Sequence, residues 1–94
     1  MAKIEGKVVA IEPSGNLRTD ISGDRLRGAP TDDRLRVRCD EHETTGLFPL
    51  EHGQPDMTLL ALIGKSGSLE LCIVGDSAAI MLGVRVGESV VVEW

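Results

Sequence analysis

The hexapeptide Arg34–Cys39 alternates strictly. Arg34, Arg36 and Arg38 fall on one side of an extended chain, and Leu35, Val37 and Cys39 fall on the other. A period of two marks a half-buried β-strand, because successive side chains of an extended backbone point to opposite faces. The pattern recurs along the chain. Leu17, Thr19 and Ile21 share one face of a short segment, and Leu69, Leu71 and Ile73 alternate with Ser68, Glu70 and Cys72. Lys3–Glu12 carries the β-branched Val8, Val9 and Ile11, with Gly6 marking a bulge or a close approach. Leu59–Ile63 is an apolar run too short for a buried helix and suited to an interior strand, and Ser89–Trp94 is a final strand. Glu43–Leu50, carrying Leu47 and Phe48, is expected to pair with Arg34–Cys39 across the polar turn Asp40-Glu41.

Turn chemistry separates these segments. Pro13-Ser14-Gly15-Asn16 joins the first two into a hairpin, Glu51–Asp56 carries Gly53 and Pro55, and Gly64–Gly67 turns the chain again. Ser22–Asp33, broken by Gly23, Gly28 and Pro30, reads as a loop with one helical turn at Asp24–Leu26. Ala78–Leu82 is expected to be a short helix, with an N-cap offered by Gly75-Asp76-Ser77 and Gly83 at the position just past the end. About seven short strands and one small helix define an all-β domain, a closed barrel or a sandwich.

With 94 residues, the chain is read as one domain, 1–94. At 41% hydrophobic residues it can build a core without metal or disulfide. That core must be aliphatic, since there is one Phe, one Trp and no Tyr. The same scarcity argues against a stacking nucleic-acid binder, and the net charge of −5 repels phosphate backbones. The arginines near Arg34 are interleaved with Asp32, Asp33 and Asp40, so no nucleic-acid partner is expected. Met1-Ala2-Lys3 runs into a β-like segment, no apolar run approaches the ~20 residues of a membrane span, and a cytoplasmic protein with Cys39 and Cys72 reduced is the expectation.

Three ordered segments carry a family resemblance. They are Gly6–Ile11 followed by Gly15-Asn16-Leu17-Arg18-Thr19-Asp20-Ile21; Leu60–Leu71, containing Ile63-Gly64-Lys65-Ser66-Gly67-Ser68-Leu69-Glu70-Leu71; and Ser77-Ala78-Ala79 through Leu82-Gly83 to Gly87-Glu88. Together they resemble the C-terminal domain of the S-adenosylmethionine hydroxide adenosyltransferase and halogenase (fluorinase and chlorinase) family. The resemblance implies a closed Greek-key β-barrel. In that family the barrel contacts adenine and methionine. A larger N-terminal domain supplies the residues that act at the ribose carbon, and the site lies between subunits of a trimer.

Carried over position by position, the resemblance marks Asn16 as a contact to the methionyl end of a ligand. Lys65 or Ser66 is marked as the holder of its carboxylate, Phe48 as an aromatic against adenine, and the Ala78-Ala79 backbone as a contact to adenine. Each has a plainer reading: an Asx turn at Asn16, a solvated turn at Lys65 and Ser66, core filling at Phe48, helix-start packing at Ala78 and Ala79. Ser14 and Asp20 depart from the family's Phe and Asn, placing polar groups near the implied pocket, and Asp76 falls near a position where some members use Arg. Gly64-Lys65-Ser66 ends like a phosphate-binding loop but has Leu59 where that motif needs glycine. Cys39 and His42, with Asp40, Glu41 and His52, show one ligand pair where a zinc site needs two, so no metal and no cofactor are expected.

The reading is a ligand-binding or assembly module for an adenosine-type molecule, not catalytic as an isolated chain. Two alternatives stand beside it: a component completed by a separate N-terminal domain protein, and a structural homo-oligomer.

Overall fold

In a computed structural model, which describes residues 2–94, the chain forms seven antiparallel strands in a nearly closed barrel. These are β1 (Lys3–Ile11), β2 (Leu17–Ser22), β3 (Arg36–Cys39), β4 (His42–Thr45), β5 (Leu59–Ile63), β6 (Ser68–Ile73) and β7 (Ser89–Glu93). One helix, α1 (Ala78–Leu82), and one 3-10 turn (Gly23–Leu26) complete it. The strands lie in the order β4-β3-β7-β1-β2-β6-β5. The connections β2 to β3 and β6 to β7 each pass over two intervening strands, which is the Greek-key habit.

The alternating residues face where their period requires. Val8, Leu17, Thr19, Ile21, Leu35, Val37, Cys39, Leu69, Val90 and Val92 are essentially removed from solvent and fill the interior. Thr19 is tolerated there because its hydroxyl donates to the Leu69 carbonyl at 2.7 Å, so the buried hydroxyl is paired. The bulge expected near Gly6 falls between Val8 and Ala10 instead. Gly6 serves the close approach: a β-carbon there would overlap the Asp20 carboxylate, which accepts from the Lys7 amide at 2.9 Å.

Two strand expectations are corrected. The strand read over Glu43–Leu50 stops at Thr45, because Gly46 turns with φ +85° and Pro49 has no N–H to continue a ladder. What survives beyond it is an isolated parallel bridge of Phe48 to Leu62. The strand read from Arg34 begins at Arg36, since a turn bond from the Leu35 amide to the Asp32 carbonyl at 3.1 Å holds the preceding residues. The seam between β4 and β5 is bridged by Thr44 Oγ1 donating to the Leu59 carbonyl at 3.0 Å and by the Phe48 amide donating to the Ala61 carbonyl at 2.9 Å.

The helix forms as its caps dictate. Ser77 Oγ accepts from the Ile80 amide at 3.2 Å, and Gly83 adopts φ +67° and closes the end onto the Ala79 carbonyl. No helix is long and apolar enough to cross a membrane among the described residues.

Candidate functional site

Two grooves of about 440 and about 400 Å³ meet at Ser14 and Asn16. The first runs past Cys72, Asp76 and Ser77; the second runs past Glu12, Leu50, Gly64, Lys65, Ser66 and Glu70. Their floor is the outer face of β6. Leu69, Leu71 and Ile73 point into the barrel, so Glu70 and Cys72 must point out, toward the turns that follow β1, β5 and β6.

This outer face is not a solvent face. Glu70 is only 5% exposed, and the paired neighbours Leu62 and Leu60 on β5 are buried although they stand outside the main core. The segment between β4 and β5 runs along β5 through Phe48, and Met57 and Thr58 bond to Val74, so the outer face there is covered. Glu70 is therefore buried although it points out of the barrel. Alternation predicts the face, and the covering segment decides its burial.

Asn16 is held by this buried carboxylate. Its Nδ2 donates to Glu70 Oε1 at 3.2 Å, which turns Oδ1 away from Glu70. Glu70 in turn packs against Gly64, where a β-carbon would overlap Oε2. Gly15, with φ +93°, leaves room for Ser77, and its carbonyl accepts from the Ala79 amide at 3.0 Å. A turn from the first hairpin is thus pinned to the helix start, and Asn16 is set between the two grooves.

The remaining sequence candidates separate. Lys65 and Ser66 are exposed on the rim of the second groove. Ala78 is fully buried in the main core, and the amide of Ala79 is taken by Gly15. Phe48 is half-buried beside Gly46 and Leu62 and lines neither groove. Ser14 lines both grooves, whereas Asp20 is exposed and engaged with Lys7. Glu70, Cys72, Ser77 and Leu50 were not among the candidates. The signal for Glu70 lay in Leu60 and Leu62, which are apolar on the outward side of a neighbouring strand.

Burial, with the charge of Glu70 second, pushes the Cys72 thiol above its ordinary range, and its hydrogen bond with Asn16 opposes that rise. A protonated thiol is a poor nucleophile. Burial likewise pushes the Cys39 thiol up, to about 11, and both cysteines are free. His42 Nε2 lies 3.0 Å from the Leu82 carbonyl, and His52 Nδ1 accepts from the Gln54 amide at 3.0 Å. No group of three or more potential metal ligands gathers among the described residues.

Fold and grooves together define a small antiparallel barrel domain with a cleft on the outside of one strand pair. The chain belongs to the SAM hydroxide adenosyltransferase C-terminal domain family, whose model matches residues 6–91. It is similar to an uncharacterized conserved protein from Thermotoga maritima whose crystal structure is known. The TM-score is 0.80 at 26% identity, over 96% of this chain and 35% of that one. It shares its fold with a conserved hypothetical protein from Thermus thermophilus, with TM-score 0.76 and 24% identity over 95% of this chain and 34% of that one. The chain spans about a third of the length of these solved structures. No curated protein matches it.

Proposed function

We propose that this domain is a ligand-binding module that takes an adenosyl compound such as S-adenosylmethionine in the grooves flanking Asn16, and that it is not catalytic by itself. The observation that carries this reading is the position of Asn16. The family resemblance marks it as a ligand contact, and it stands at the junction of two grooves with its amide oriented by Glu70. In this reading Lys65 and Ser66, which line the second groove, meet the ligand carboxylate, the lysine as a point charge and the serine as a neutral donor. The thiol that lines the first groove, Cys72, is held protonated and is not a ready nucleophile. The reading extends to a cytoplasmic setting, where S-adenosylmethionine is used and both thiols stay reduced.

A second reading is favoured by one observation. The matched structures are about three times longer than this chain, so the barrel corresponds to about a third of each of those chains. In that case the grooves are one wall of a site that another domain completes.

Isothermal titration of the chain with S-adenosylmethionine and with adenosine tests the first reading. Saturable heat at micromolar to millimolar ligand, weakened by Asn16→Ala, is expected. Absence of heat at millimolar ligand refutes binding by the barrel alone, and recovery of binding on adding a catalytic domain from this family supports the second reading.

A further inference from the structure

We propose that the end of the barrel capped by α1 is a docking surface for a basic amphipathic protein segment, one that presents apolar side chains flanked by lysine or arginine. This surface rests on its own apolar and charged residues, not on the adenosyl reading.

The large hydrophobic side chains left in solvent gather at this end. α1 turns Ala78 and Leu82 toward the core, which leaves Ile80 81% exposed and Met81 48% exposed. The chain then passes through the exposed Val86. The next amide, Gly87, donates to the Val8 carbonyl at 2.8 Å and so sets that turn beside the exposed Val9. Ile11 closes β1 at the same end, and the Met57 amide donates to the Val74 carbonyl just ahead of α1; both side chains are exposed. Leu50, in the second groove, is the remaining exposed large hydrophobic among the described residues. Single apolar residues in water need no explanation, but a gathering of them at one end of a small domain marks a contact surface.

The charge around the patch selects the occupant. Asp40 and Glu41 form the β3–β4 turn, and the adjoining His42 is tied to the end of α1 through the Leu82 carbonyl. Asp76 precedes α1, Asp56 packs against Gly75, and Glu88 follows the Val86 turn. Asp40 and Glu88 both act on the Cys39 thiol, so they share one neighbourhood. None of these five acids enters an ion pair among the described residues, whereas Glu5, Glu12, Asp24, Asp32, Glu43 and Glu93 all do. Arg85, beside Val86, and Lys7, opposite Ser89, are nearby cations, and neither is paired with them. A second copy, an anionic lipid surface or a nucleic acid would bring like charge against this rim. A basic amphipathic segment covers the apolar centre and meets the rim with opposite charge, which is what a complementary interface requires.

The ¹⁵N-labelled chain is titrated with a helical peptide made only of Leu and Lys, its leucines on one face, and with the same peptide carrying Glu in place of Lys. Saturable amide shifts centred on Ile80–Gly87 and Asp40–His42 are expected with the Lys peptide, at an affinity at least about tenfold above that of the Glu peptide. Raising the salt should weaken the Lys peptide. Ile80→Ser, at a side chain already in water, should lower its affinity by about tenfold. Asp40→Asn with Glu41→Gln should lower it by about fivefold. Asp32→Asn with Asp33→Asn, which removes the same charge at the opposite end of β3, should change it by less than about twofold. Shifts confined to the grooves, equal binding of the two peptides, or equal losses from the two acid pairs overturns the proposal. Self-association by light scattering that Ile80→Ser abolishes gives the surface to a second copy, and flotation with phosphatidylserine vesicles gives it to a membrane; either overturns the proposal too. A chain that binds the peptide but no adenosyl compound loses the adenosyl reading and keeps this surface.

Discussion

Replacing Gly64 by alanine should strike the candidate site through one atom. Gly64 is buried, and its φ lies outside the left-handed region, so alanine is permitted by the backbone. The added β-carbon would overlap Glu70 Oε2 and Cδ and lie 2.9 Å from Oε1. To yield, the carboxylate must move, and the bond it accepts from Asn16 Nδ2 is the contact at risk. A hydrogen bond to a charged group is worth about 1.5–3 kcal/mol. Alanine returns about 0.4–1 kcal/mol by restricting the unfolded chain. The balance is a loss of about 1–2 kcal/mol, readable as a lower urea midpoint at unchanged slope. The decisive comparison is a double-mutant cycle. In a Glu70→Ala background the collision is gone, so Gly64→Ala should be neutral or stabilising by up to about 1 kcal/mol. Equal cost in both backgrounds would refute the packing argument, because the loss would then belong to the turn and not to the carboxylate.

Two further outcomes follow from the backbone and the core. Met57 sits at φ +69° with its side chain 54% exposed, so Met57→Gly should remove left-handed strain of about 1–2 kcal/mol, less about 0.5–1 kcal/mol of glycine entropy, and raise the thermal midpoint slightly. The Cys39 thiol, pushed up to about 11 mainly by burial, ionises first in the unfolded chain, so its contribution is constant below pH 9 and is lost as pH rises from about 9 to about 11; Cys39→Ser should flatten that part of a pH–stability curve, and an unchanged slope would count against it.

Much of the barrel was legible in the residues themselves. Period-two alternation placed Leu17, Thr19 and Ile21, then Leu35, Val37 and Cys39, then Leu69, Leu71 and Ile73 inward, and all nine are buried. Ser77 and Gly83 bounded α1 correctly, because capping is a local matter of one side-chain oxygen and one left-handed residue. The Glu43–Leu50 strand was overread because Leu47 and Phe48 suit a strand, while the turn at Gly46 and the proline at Pro49 break one.

The candidate site was legible only in outline. Asn16, Lys65 and Ser66 line the grooves, as a turn-based reading allows, but Phe48 lies elsewhere and the Ala79 amide is already engaged. Which residues face in, where the chain turns and which turn carries an amide side chain can be read from the order of residues alone, because these follow from backbone period and local hydrogen bonding. Covering of the outward face of β6 is a property of the folded molecule. Burial of Glu70 depends on residues more than ten positions away along the chain folding back over it. Alternation can say which way a carboxylate points, but not whether water is waiting there.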